Sequence, residues 1–163
     1  MAFSTTPIVT PQMNSTSSSA LMPTGTKVTL SDGNTAQYVR ATSAISQYAA
    51  VAVYANGSAQ SLNTTLAASV KTIGFAQTSI ASAYYGWVHL GGGPVNVALA
   101  ANCAASVPLY TTATAGVLDD ATVTGGLALG LVATSAVVTA GAATCIAAGA
   151  CVIGSGATNT VTP

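Results

Sequence analysis

The chain has 163 residues, of which 4% are charged: Lys27, Arg40 and Lys71 against Asp32, Asp119 and Asp120, with His89 as the single histidine. An ordinary soluble domain is about a quarter charged, so this surface is expected to be covered by Ser, Thr, Asn, Gln and backbone. Three scattered cations cannot form a phosphate-gripping stripe, which excludes nucleic acid as a partner, and zero net charge with few ions gives little repulsion between copies.

The length suits one domain with a real core. Ala inflates the 50% hydrophobic content, and each Ala buries little area, so a modest core supplemented by burial between subunits is expected.

Residues 1–24 read as an extended N-terminal arm ahead of a single β-rich domain, 25–163. Pro7, Pro11 and Pro23 remove backbone donors, and Asn14 to Ser19 is low in complexity. The arm nevertheless carries apolar residues at Ile8, Val9, Met13, Leu21 and Met22, which could order against a neighbouring subunit. Its first residues lack a charged region and an apolar region, so no signal peptide is expected and synthesis in a cytoplasm follows.

From Thr26 onward short strands alternate with turns. Lys27 to Leu30 is a strand, Ser31 to Asn34 a turn, and Ala36 to Arg40 the next strand. Ala50 to Tyr54 meets Asn56-Gly57, a pair suited to a type I′ hairpin, with Ser58 to Leu62 returning. Val70 to Ala76 is a further strand. In Tyr84 to Leu90, the most aromatic stretch, Tyr85, Trp87 and His89 share one face and Tyr84, Val88 and Leu90 the other. Gly91 to Pro94 is expected to reverse the chain into Val95 to Leu99. Val107 to Thr111 and Val117-Leu118 make another hairpin, and Leu127 to Leu131 and Cys145 to Ile153 supply late strands. Ser61 to Ser69 and Ala98 to Ala105 are the best helical candidates, of one or two turns, and the Thr, Val and Gly content of Thr134 to Ala150 favours strand over the helix its alanines suggest. The charge-free run Leu127 to Gly154 is not read as a membrane span, because glycines and threonines interrupt it and no basic residue follows Lys71. The fold class is all-β, a compact antiparallel barrel or sandwich.

Catalytic chemistry is not legible. Asp119 and Asp120 are adjacent, and on a strand they point to opposite faces, so they act together only at a bend; they read as the end of a strand. His89 reads as packed or hydrogen-bonded at a sheet surface; around an oligomer axis it could form a metal site or a pH-sensitive seam. Cys103, Cys145 and Cys151 lack zinc spacing and read as reduced and buried. Tyr85, Trp87 and His89 are therefore candidates for core or oligomer seam, with no catalytic residue, metal or cofactor expected.

The stretch Tyr85-Gly-Trp-Val-His-Leu-Gly-Gly, then Val95-Asn-Val and Ala104 to Asp120, together with Tyr38-Val-Arg-Ala-Thr and Gly74-Phe-Ala-Gln, resembles the capsid decoration, or cement, proteins of tailed bacteriophages. The resemblance covers about residues 36–120. It implies a mostly β protein, often trimeric, on the outer capsid surface, with the major capsid protein as partner and no catalytic residues. On this reading the arm lies across a neighbouring subunit. Two alternatives stand beside it: a carbohydrate- or host-surface-binding module using Trp87 with Tyr84, Tyr85 and Tyr110, and a self-assembling shell or filament protein.

Overall fold

The structure, a computed structural model, describes residues 13–69, 72–124 and 126–154. It is all-β with one helical turn. A short strand β1 (Lys27–Thr29) leads through the Ser31–Asn34 turn into β2 (Thr35–Ala41), to which it pairs antiparallel. Then follow β3 (Ala50–Val53), β4 (Ser58–Ser61), the helical turn α1 (Thr64–Ala67), β5 (Thr72–Ala76) and β6 (Tyr85–Gly91). Asn63 caps α1, its side-chain oxygen accepting from Leu66 N at 2.9 Å, and this places the turn within the first of the two expected helical stretches.

These strands close into a five-strand barrel. β2 pairs with β4 in parallel and with β6 antiparallel; β3 pairs antiparallel with β4 and β5, and β5 with β6. Closure removes free strand edges. Alternation then sorts the side chains: Val39, Ala41, Val51, Val53, Ala59, Ala76, Val88 and Leu90 fill the interior, while Tyr38, Trp87 and Phe75 point out of it.

The remaining strands are β7 (Gly93–Leu99), β8 (Pro108–Thr111), β9 (Leu118–Asp119), β10 (Leu127–Ala133) and β11 (Gly141–Gly154). Their ladders repeat the first set. β7 pairs with β9 in parallel and with β11 antiparallel; β8 pairs antiparallel with β9 and β10, and β10 with β11. The register agrees at most positions, with bulges in β10 that β5 lacks. Tyr38↔Trp87 and Val39↔Gly86 correspond to Asn96↔Thr144 and Val97↔Ala143. Phe75↔His89 corresponds to Val132↔Ile146, and Ala50↔Phe75 to Pro108↔Val132. Even the isolated bridge Ile45↔Ile80 has its counterpart in Cys103↔Val137. The chain therefore contains the same five-strand ring twice in tandem, a repeat that the sequence analysis did not find.

The two rings share a core. Val97, Leu99, Leu109, Leu118, Leu131, Ala133 and Cys145 fill the second ring and run into one cluster with Ala50, Ala52, Ile73 and Phe75 from the outer face of the first. β11 carries the junction, pairing Val152 with Thr72 of β5.

Three expectations are corrected. Gly91 to Pro94 does not reverse the chain into a β6–β7 hairpin: Gly91 and Gly92 have φ of 121° and 107°, backbone open to glycine alone, and carry the chain across from the first ring to the second. The Asn56-Gly57 turn is a hairpin but not type I′. Only Gly57 has positive φ (77°), and Tyr54 N donates to Ser58 O at 3.0 Å, so the loop has three residues ending in a left-handed glycine. Ala98 to Ala105 forms no helix, since Ala98 and Leu99 complete β7. Two of the ladders, β2–β4 and β7–β9, are parallel within an otherwise antiparallel structure.

Candidate functional surface

The aromatic strand β6 lies with one face inward and the other under the arm. Trp87 is 3% exposed. Its ring sits 5.2 Å from that of Tyr38 at 59°, and Tyr38 stacks on Tyr85 at 6.0 Å. Met13, Met22 and Val28 pack over this cluster, and Ser17 bridges to the Tyr85 backbone, each amide donating to the other's carbonyl at 3.0 and 2.8 Å. The arm thus adds itself to its own barrel. Of its apolar residues, Met13 and Met22 turn onto the barrel, Leu21 is exposed, and Ile8 and Val9 lie outside the described residues.

His89 lies on the same outer face as Trp87, opposite Ala36 on β2 and Phe75 on β5. It is buried, and neither ring nitrogen has a protein partner. Burial holds its pKa below the ordinary histidine value, with the Asp32 charge opposing. Asp32 itself is engaged nearby. It accepts from Asn34 Nδ2 at 2.9 Å and Asn34 N at 3.0 Å, and these bonds hold its carboxyl below the usual range. Asn34 Nδ2 also donates to Pro94 O at 3.1 Å, tying the turn before β2 to the start of β7.

Asp119 and Asp120 are brought together after all, because β9 ends at Asp119 and the chain bends there. Their carboxylates and the buried Cys103 thiol lie within 4.8 Å of one another, the one set of described residues whose donor atoms could hold a metal ion. Both carboxylates are also used locally: Asp119 Oδ1 accepts from Asp120 N at 2.9 Å and Asp120 Oδ2 from Ala104 N at 3.0 Å. Burial raises the Cys103 pKa first, and the two carboxylates add to it. Cys145 and Cys151 are free thiols on one continuous strand, with no fold-back at Ala148-Gly149 to pair them.

A cleft of about 530 Å³ opens between Lys27, Gln37, Tyr54 and Thr72, near the end of the first barrel. Among the described residues no helix is long and apolar enough to cross a membrane.

The surface that sequence reasoning missed is the outer face of β10 and β11. Leu129 (44% exposed) stands opposite Val152 (38%), and Val132 (43%) opposite Ile146 (45%). Each exposed pair has a buried neighbour, Ala128↔Ile153 and Ala133↔Cys145. These strands are therefore apolar on both faces, the pattern of a sheet covered on both sides. The signal was present in the sequence as apolar residues at successive positions, such as Leu131-Val132-Ala133, where alternation with polar residues would mark a solvated face.

No protein-family model, curated protein or solved structure matches the chain.

Proposed function

We propose that the chain is a capsid decoration, or cement, protein of a tailed bacteriophage. It is made in the host cytoplasm, binds the outer surface of the head and clamps neighbouring major capsid subunits as a homo-oligomer, with a trimer favoured. One observation carries the reading: the acids are taken up by backbone hydrogen bonds within the fold, while large apolar side chains stand on a closed, nearly uncharged double barrel. Such a body is stiff and contact-ready. The resemblance of Tyr85 to Gly92 and Ala104 to Asp120 to cement proteins supports the same role.

The physical logic is additive. A head under internal pressure opens only after each bridging interface breaks, and an interface of standard size buries about 1,600 Å². Closed rings transmit that load without exposing strand edges to wrong pairings. A sugar-stacking module built on Trp87 is disfavoured, because that ring is 3% exposed, against Tyr38 and inside the cluster on which Met13 and Met22 pack.

The test is sedimentation of purified protein with isolated heads. Saturable binding to expanded heads, weak binding to unexpanded ones, and later heat release of packaged DNA are expected. Absence of binding to either form of head overturns the reading.

A further inference from the structure

We infer that the apolar outer face of β10–β11, centred on the Leu129–Val152 and Val132–Ile146 pairs, is a self-association surface that receives a second copy of this chain. The internal repeat supplies the argument. Phe75 and His89 hold the places in the first ring that Val132 and Ile146 hold in the second. There the face is covered: Phe75 is fully buried and His89 nearly so. Phe75 shares a cluster with the interior residues of the second ring, and β11 passes over the strand end, with the Gly149 carbonyl against Gly91. On its Phe75 side the fold thus fills this face with another copy of its own ring, while the arm covers the Trp87 side. Among the described residues no further ring packs on the second one, and its equivalent face is apolar and open.

Two further observations favour a second copy over an unlike partner. The patch is continuous with the junction between the rings, because Val152 pairs with Leu129 on one side and with Thr72 of β5 on the other. It also contains no ionisable side chain, and the chain as a whole has net charge zero, so two copies meet without repulsion. A patch that closes on itself about a symmetry axis needs this self-compatibility. The four side chains form the centre of the contact. Thr144 and Ala142 of β11 and Val138 at the tip of the β10–β11 connection, all exposed, extend it toward the roughly 800 Å² per partner of a standard interface. This inference does not depend on the cement reading, since it concerns the purified chain alone.

The test is the mass of the pure protein in solution, by sedimentation velocity across a concentration series, with no capsid present. Wild type is expected to sediment as a defined oligomer at tens of micromolar. Ile146→Lys and Val132→Lys put a charge into the centre of the patch at positions already open to solvent, so their circular dichroism is expected to match wild type and their mass to fall to that of the monomer. Ser43→Lys, an exposed site on the first ring, is expected to keep the oligomer. A monomeric wild type overturns the inference, as do lysine variants that fold and assemble like wild type. A wild-type monomer that nonetheless binds heads, and loses that binding in Ile146→Lys, assigns the patch to the capsid protein: it overturns self-association and the homo-oligomer, and leaves capsid binding standing. An oligomer that binds no head has the opposite meaning.

Discussion

Tyr38 and Trp87 face each other across the β2–β6 ladder with ring centroids 5.2 Å apart, and the residues in the same two places of the second ring are Asn96 and Thr144, whose side chains hydrogen-bond at 3.1 Å. One ladder position has two chemical solutions. Under the arm it is aromatic and dry; at the open surface it is a polar pair that water can wet. The arm is therefore part of the first ring's packing. Deleting residues 1–24 is expected to expose Trp87 while leaving the barrel closed. Because Trp87 is the only tryptophan, its emission reads this directly. A red shift with unchanged far-ultraviolet circular dichroism is expected, and an unshifted spectrum rules out the arm as its cover.

The crossing between rings makes a sharper demand on the backbone. At Gly91, φ is 121° and an added Cβ would overlap the Gly149 carbonyl, whereas a Cβ at Gly149 meets nothing within 4 Å. Gly91→Ala is expected to destabilise by at least about 2 kcal/mol, through backbone strain and displacement of β11. Gly149→Ala is expected to stay within about 1 kcal/mol of wild type. Urea midpoints of the two variants check this, and equal midpoints would remove the close crossing from the account.

Much of the fold was legible because local signals carried it. The turn residues around Asp32-Gly33 and Asn56-Gly57 marked hairpins, and alternation in Tyr85 to Leu90 placed Trp87 and His89 on one face with Val88 and Leu90 on the other, as the clusters and the Phe75↔His89 pairing show. The tandem repeat was not legible, because equivalent places conserve only the direction of the side chain. Val88 matches Cys145, Phe75 matches Val132 and Tyr38 matches Asn96, so inward and outward alternate in step while identities differ. The misread β6–β7 hairpin has the same root. Gly-Gly-Gly-Pro between two strand patterns suits a reversal as well as a crossing, and only the long-range pairing of β7 with β11 decides between them. The approach of Asp119 and Asp120 to Cys103 likewise rests on long-range contacts, the Leu99↔Leu118 pairing and the Ala104 N–Asp120 bond.

The three thiols give a probe of the second ring. Burial pushes Cys145 up to about 12, with Cys103 and Cys151 adding, and Cys151 up to about 11. All three belong to the shared core. The thiolate is the reactive form, so at pH 8 a thiol reagent is expected to label the native chain only as fast as the ring opens, and all three sites at once in denaturant. Rapid labelling of Cys145 under native conditions is the outcome that contradicts the buried assignment.

His89 sets the expected response to acid. Its folded pKa lies below the ordinary value because of burial, and the Asp32 charge offsets only part of this. Between the folded and unfolded values the unfolded chain binds the proton and the native chain does not, so stability falls as pH drops through that window and is fully present above it. The slope approaches about 1.4 kcal/mol per pH unit where the difference is one whole proton. His89 is the only histidine, which leaves the range from pH 7.5 to 5 largely to this side chain. Asp32 acts lower still: its depressed pKa contributes stability above the unfolded value that is lost on further acidification. Urea unfolding across that range is expected to show a falling midpoint for wild type and a flat one for His89→Leu, which keeps the volume and removes the titration. A wild-type midpoint that does not move with pH, or a variant that follows it down, would take His89 out of the acid response and leave its two unpartnered ring nitrogens to be satisfied some other way.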